Sequence, residues 1–388
     1  MPWQGVRPVD LRLEFTRACA WGWFSMTELC DQYGISRKTG YKWVDRYEAD
    51  GRAGLVDRSR RPSHSPRATD ARVVALLCDA RRRHPTWSAR KLIAVLRRQH
   101  PALPWPVRST GCALLKAHGL VRARRRRVRA HARNAPLAPI AHPNEVWTTD
   151  FKGEFRTGDR RYCYPLTLRD GFSRYVLCCA ALPTKGTAVT RARFERAFRD
   201  YGVPARIRSD NGEPFAGTGL TRLSRLSAWW IRLGIQPERI ALGHPEQNGS
   251  HEQFHRVLKA ETARPPALSL AAQQRRFRRF CAEYNEERPH EALQDQPPAS
   301  CYTPSTRPFP ARLPPLEYPG HMEVRRVSPF GQVSWRGRAL YLTEVLGGES
   351  VAFDEVEDGI WMLYFATVRL ARFDERTRTL TALPHATS

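Results

Sequence analysis

The chain has 388 residues and a formal net charge of +26, with 64 lysines and arginines against 38 acids. That length exceeds one compact domain, and so positive a balance calls for a polyanionic partner, with nucleic acid ahead of an anionic membrane. No stretch reaches about 18 apolar residues, the N-terminus lacks a signal-peptide layout, and nine cysteines without a Cys-x-x-Cys pair argue against structural zinc or a disulfide framework; the expectation is an intracellular protein.

In chain order, Ser25 and Glu28 fit a capping box. Leu29, Cys30 and Tyr33 then give an apolar face, and Gly34 breaks the helix. Ser36 can cap a second helix to about Tyr47, with Trp43, Val44 and Tyr47 inward and Arg37, Lys38, Lys42 and Arg46 outward. A short helix, a glycine turn and a basic helix suit the DNA major groove; the bland reading is a small bundle with solvated charges. Past a basic Pro/Ser segment, Ser88 and Ser109 can cap two further helices, through Leu96 and His118, with Gly119 as a stop. This second module is expected to bind DNA, or else to dimerise or act as a spacer. The run from Arg122 to Arg133, with Arg124, Arg125, Arg126 and Arg127 at its centre, repels itself and cannot build a core. It reads as an arm tracking the DNA backbone.

From Pro143 the pattern changes. Val146–Phe151, Tyr162–Leu168, Arg174–Leu182 and Arg206–Ser209 are strand-like. Thr187–Tyr201 is helical, with Phe194 and Phe198 spaced i, i+4; another helix holds Trp229 and Trp230, and one more follows Gly249. This is a mixed α/β layout. Pro297–Pro319 reads as a linker, and the short alternating segments after it predict a small β-barrel.

Three acids stand out by position. Asp150 and Asp210 end strands, and Glu252 opens a helix. Carboxylates so placed can converge at one sheet edge and hold Mg²⁺ with positions left for phosphate. On a helical wheel Glu252, Arg256 and Lys259 share one face and Phe254, Val257 and Leu258 the other. That joins an acid for metal to cations for phosphate, although an ordinary amphipathic surface helix looks the same. His244 and His255 lie near the acids, with a structural role equally open. Asp159 and Asp170 adjoin turns, where Asp is common for local reasons.

In this order, WTTDFKG, SDNG and HPEQNGSHEQFHRVLK resemble the three-part signature of the retroviral-integrase-type core of bacterial insertion-sequence transposases. The resemblance covers Asn144 to Leu293, and GISRKTGYKWVDRY resembles the DNA-binding modules of the same enzymes. It implies a ribonuclease-H-like fold and a DDE triad of Asp150, Asp210 and Glu252 holding two Mg²⁺ or Mn²⁺ ions. Between Asp210 and Glu252 lie 41 residues; a spacing of 35, common in the family, would select Glu246. Glu252 is preferred because the family's acid stands three residues after the motif glycine, here Gly249, which places a small insertion around Thr218–Trp229.

The whole is then a multidomain protein. Helix-turn-helix modules occupy 1–60 and 70–121, the second winged-helix-like, joined by a linker over 61–69. A basic linker (122–143), an α/β integrase core (144–295), a proline-rich linker (296–319) and an all-β barrel (320–388) follow. The expected function is cleavage at the ends of a mobile element and transfer of the 3′-OH into target DNA. The partners are double-stranded terminal repeats, target DNA and further copies of the chain, at the bacterial nucleoid. The alternatives are a non-catalytic regulator derived from such an element, another nuclease of the same fold, and a structural nucleoid protein.

Overall fold

The computed structural model describes residues 7–59, 68–121, 140–240 and 249–383. The run Arg124–Arg127 and the positions His244 and Glu246 lie outside the described residues. The chain forms two compact units, residues 1–68 and 69–388. No helix among the described residues is long and apolar enough to cross a membrane.

The first unit is three helices: α1 (Pro8–Trp21), α2 (Met26–Gln32) and α3 (Arg37–Asp50). The capping box at α2 is complete. The Glu28 N–H donates to Ser25 Oγ at 3.3 Å, and the Ser25 N–H donates to the Glu28 carboxylate at 2.8 Å. The chain turns through Gly34, at φ 63°, and restarts on the Ser36 cap. Gly40 is where α3 meets the other helices. A Cβ there would stand 2.7 Å from Cys30 Sγ and 2.9 Å from the Phe15 ring, closer than real contacts allow. Trp43 is buried beneath three cations, Arg12, Lys42 and Arg46, at 4.0, 4.1 and 5.2 Å from its ring.

The second unit begins with α4 (Ala71–Arg83), α5 (Ala89–Gln99) and α6 (Arg108–Ala117) around Leu77, Trp87, Leu92, Leu96 and Leu115. Ser88 caps α5 as expected. Ser109 does not cap α6: the N-cap is Val107 without a side-chain bond, and Ser109 lies inside the first turn. The hydroxyl is two residues too late, because the helix starts directly after Pro106 and Val107.

The central sheet has strands β1 (Val146–Phe151), β2 (Phe155–Arg156), β3 (Tyr162–Asp170), β4 (Val176–Leu182), β5 (Arg206–Ser209) and β6 (Gln236–Arg239), in the order β2-β3-β1-β5-β6 with β4 also on β3. The first strands form an antiparallel meander, while β1–β5 and β5–β6 are parallel. That topology resembles the expected ribonuclease-H-like core. Helices α7 (Thr187–Tyr201) and α8 (Arg225–Arg232) cover one face. Helices α9 (Gly249–Thr262) and α10 (Leu270–Glu286) cover the other. The proline-rich segment lies along the core. Tyr302 stacks on Tyr175 at 4.5 Å, and the Arg307 guanidinium donates to the carbonyls of Pro204, Leu233 and Gly234.

Among the described residues, the expected C-terminal barrel is not formed. Strands β7 (Glu323–Arg326), β10 (Ser350–Glu357), β11 (Ile360–Phe365), β12 (Val368–Asp374) and β13 (Thr379–Ala382) make an open sheet in the order β13-β12-β11-β10-β7. A separate hairpin is formed by β8 (Gln332–Trp335) and β9 (Arg338–Tyr341). A barrel would bury the apolar face by closing the sheet on itself. Here that face is covered instead by Trp335 and Val333 of the hairpin and by Leu223, Ala228 and Ile231 at α8 of the central domain. With the face already buried, nothing drives β13 back onto the other edge.

Candidate functional site

Residues alternate faces along a strand, and the register of this sheet sorts its chemistry. Trp147, Leu166, Leu168, Ala180 and Leu182 point to α7 and α8. Thr148 opposite Arg169, and Asp150 opposite Thr167, point to α9 and α10. Helix α9 answers with His251, Phe254, His255 and Leu258 on its buried side, while Glu252, Arg256 and Lys259 are exposed.

A hydrogen-bonded cluster joins helix and sheet below the acids. The Thr167 hydroxyl donates to the Asp150 carbonyl oxygen at 3.0 Å. Its one proton is thereby committed, so His251 and His255 both donate Nε2–H into its lone pairs, at 2.6 and 2.7 Å. His251 Nδ1 then lies 3.0 Å from Thr148 Oγ1, and His255 Nδ1 faces Asp150 Oδ2 at 3.5 Å. Both rings are neutral. Burial, the neighbouring ring and the Arg169 charge hold His251 well below the usual histidine range. Burial and the charges of Lys152 and Arg169 hold His255 at about 3. The first turn of α9 is also tied down by two arginines: Arg169 donates to the Ser250 carbonyl at 3.0 Å and Arg174 to the Ser250 hydroxyl.

Asp150, at the end of β1, has a side chain 19% exposed. Burial, then the negative charges of Asp210 and Glu252, push its carboxyl up to about 7 against the easing effect of the Phe151 N–H and Lys152. Asp210, just past β5, is raised by burial and eased by the Gly212 N–H and the Lys185 charge. The Gly212 N–H lies 3.3 Å from its Oδ1. The three acids therefore share one electrostatic neighbourhood. Among the described residues, no three acidic, histidine or cysteine side chains are closed into a metal-holding group.

Arg37, Lys38 and Lys42 are exposed on α3, whereas Arg46 is half-buried against Trp43. Asp170 is a structural residue: its carboxylate accepts from the Asn144 and Ser173 N–H groups, both at 2.7 Å. Thr148, Thr167, Arg169 and His251 are the positioning groups that sequence reasoning passes over. For Thr148, Thr167 and Arg169 the signal is polar residues at alternate places in otherwise apolar strands; His251 lies on the buried side of α9. Lys152 and Lys185 were passed over as well.

Comparisons with known proteins follow this layout. The helix-turn-helix domain family matches residues 11–63, and the homeodomain-like domain family 39–110. The integrase core domain matches 141–245 and 233–298, and the C-terminal domain of IS481 family transposases 322–381. An uncharacterised 31.7 kDa protein of insertion element IS407 from Burkholderia multivorans is 30% identical over 241 residues, covering 60% of this chain and 80% of that protein. Among solved structures, the HTLV-2 integrase catalytic core domain in complex with magnesium has 16% identity, 42% and 98% coverage of this and that chain, and a TM-score of 0.31. A chain of the simian T-cell lymphotropic virus intasome in complex with PP2A regulatory subunit B56 gamma has 15% identity, 80% and 99% coverage, and a TM-score of 0.36. Helix-turn-helix modules ahead of an integrase core, a transposase C-terminal domain behind it, and an insertion-element relative matched over most of its length leave one conclusion: the chain belongs to the insertion-sequence transposases with an integrase-type catalytic core, enzymes of DNA transposition and integration.

Proposed function

We propose that Asp150, Asp210 and Glu252 form the acidic centre at which this transposase hydrolyses a phosphodiester at each element end and transfers the freed 3′-OH into target DNA. The observation that carries this is the Asp150 carboxyl, pushed up to about 7 by burial first and then by the charges of Asp210 and Glu252. Carboxylates placed at strand ends and a helix start are a hard-oxygen donor set, which fits Mg²⁺ or Mn²⁺. Two such ions are the expected complement, and when bound they would supply Lewis-acid polarisation of the phosphodiester and relief of the repulsion. The protein's own part is positional. The threonine–histidine cluster fixes Asp150, the arginine ties on Ser250 aim Glu252 outward, and Arg256 and Lys259 hold the DNA backbone beside them.

Arg37, Lys38, Lys42 and Arg46 would read or grip the element end from α3, with 70–121 as the second DNA-contacting module and Arg124–Arg127 along the backbone between modules and core. Two ends must be held together, so the working species is a homodimer or larger assembly on DNA, acting at the bacterial nucleoid. The test is strand transfer with oligonucleotides carrying the element ends, a supercoiled plasmid and Mg²⁺ or Mn²⁺. Asp150→Asn, Asp210→Asn and Glu252→Gln should each lower joining by more than about 100-fold with DNA binding kept. Activity that survives Glu252→Gln but not Glu246→Gln would move the third acid to Glu246.

A further inference from the structure

The chain holds 57 arginines and seven lysines, and past residue 150 it holds 32 arginines and three lysines: Lys152, Lys185 and Lys259. The fold brings all three to the acidic centre. Lys152 follows β1 two residues after Asp150, with its backbone N–H fixed on the Pro165 carbonyl at 2.9 Å. Its side chain shares a shallow cavity with Lys259 of α9, floored by Leu258 and Phe277. Lys185, from the β4–α7 loop, stands 5.5 Å from the Tyr164 ring and 6.0 Å from the ring of Phe151, the residue after Asp150. Its nearest ion pair is a loose one, 3.9 Å to Glu154, with the side chain 45% exposed.

Arginines behave differently on the neighbouring strand. On β5, which leads into Asp210, Arg206 is bound to Glu145 at 2.6 Å and Arg208 to Glu238 at 2.7 Å. A guanidinium is a rigid fork that matches a carboxylate and captures it, whereas an ammonium is a compact, hydrated point charge on a flexible stem. An arginine beside Asp150 or Asp210 would tie up the acid that the site needs open. A lysine can stand off from the carboxylates and still neutralise a phosphate.

We propose that Lys152, Lys185 and Lys259 form a three-lysine clamp for the phosphates of the DNA strand entering the acidic centre, and that lysine is required there because arginine would seize the aspartates. This rests on the acidic centre assigned above, with Lys152 and Lys185 as its added binding residues. With so few lysines, amine-acetylation footprinting read by mass spectrometry can follow each one. It is run on full-length Asp210→Asn protein, so that its outcome does not depend on catalysis, with an element-end duplex in one arm and an unrelated duplex in the other. Lys152, Lys185 and Lys259 should lose at least half of their labelling in one arm or both, and the arm identifies the strand as element end or target. Unchanged labelling of Lys152 and Lys185 in both arms overturns the clamp. In active protein, Lys152→Arg and Lys185→Arg should keep DNA affinity within about twofold and lower strand joining roughly ten- to hundredfold, the cost of a misplaced reacting group. Full joining by both arginine variants overturns the requirement for lysine.

Discussion

The two faces of the central sheet come from the same strands and do different work. Toward α7 and α8 the side chains are Trp147, Leu166, Leu168 and Leu182, meeting Phe194, Phe198 and Trp230. This face is apolar and close-packed, and its contribution is stability. Toward α9 the same strands present Thr148, Asp150, Thr167 and Arg169 to His251 and His255. Buried polar groups of this kind are costly unless every partner is in place, so this face spends stability on geometry. A one-residue slip of β1 would exchange the two roles, which is why the antiparallel pairing of Asp150 with Thr167 matters to the chemistry as well as the fold.

Three measurements would break or sharpen that contrast. The largest effect belongs to the apolar face. Phe198→Ala empties a fully buried site among Trp147, Phe194 and Trp229 and should cost about 3–5 kcal/mol in urea unfolding, with joining per folded molecule unchanged. A small cost would mean that this face is not the stabilising one. Next comes Thr167→Val on the polar face. It removes the hydroxyl between the two histidines and should cost about 1–3 kcal/mol while lowering joining roughly ten- to hundredfold, with Thr167→Ser restoring both. Equal losses of stability and activity per folded molecule in the serine and valine variants would remove the positioning role.

The smallest effect is a pH dependence. Burial, with the charges of Lys91, Arg169 and Arg288, holds His290 at about 2, so it stays neutral in the folded protein. In the unfolded chain it takes up a proton below its ordinary value of 6.5. The unfolded state then binds more protons, and stability is lost as pH falls. The His290 share is about 1.4 kcal/mol one pH unit below that value. His251 and His255 act in the same direction. His290→Leu should flatten the fall between pH 7 and 5.5 by one histidine's share; an unchanged slope would show that His290 is protonated in the fold.

Legibility in the sequence followed the range of the signal. Strand β1 and helix α7 were read with the bounds the structure shows, because alternation and i, i+4 spacing are local. The Ser25–Glu28 capping box is local too. Helix α10 went unread: arginines at 275, 276, 278 and 279 interrupt its apolar row of Phe277, Phe280 and Tyr284. Strand β6 is short and polar and contains Pro237, so only its pairing with β5 makes it a strand. The barrel expectation came from strand count. What decided against it was Leu223 and Ile231, more than a hundred residues upstream of the strands they cover. At the site, the acids were visible because strand ends can be located. The bond from Thr167 to His251 spans 84 residues and has no local mark.

The apolar layer between α8 and the C-terminal sheet also bears on how this enzyme can be divided. The integrase-core match ends at residue 298 and the C-terminal match begins at 322, which invites a cut between them. Folding does not respect that seam. Leu223, Ala228 and Ile231 belong to the same buried layer as Trp335, Phe353 and Phe365, and Arg232 pairs with Glu349 at 3.5 Å across it. The two segments, separable as units of ancestry, should melt as one cooperative block, and a fragment ending near residue 298 would expose an apolar flank that favours self-association over catalysis.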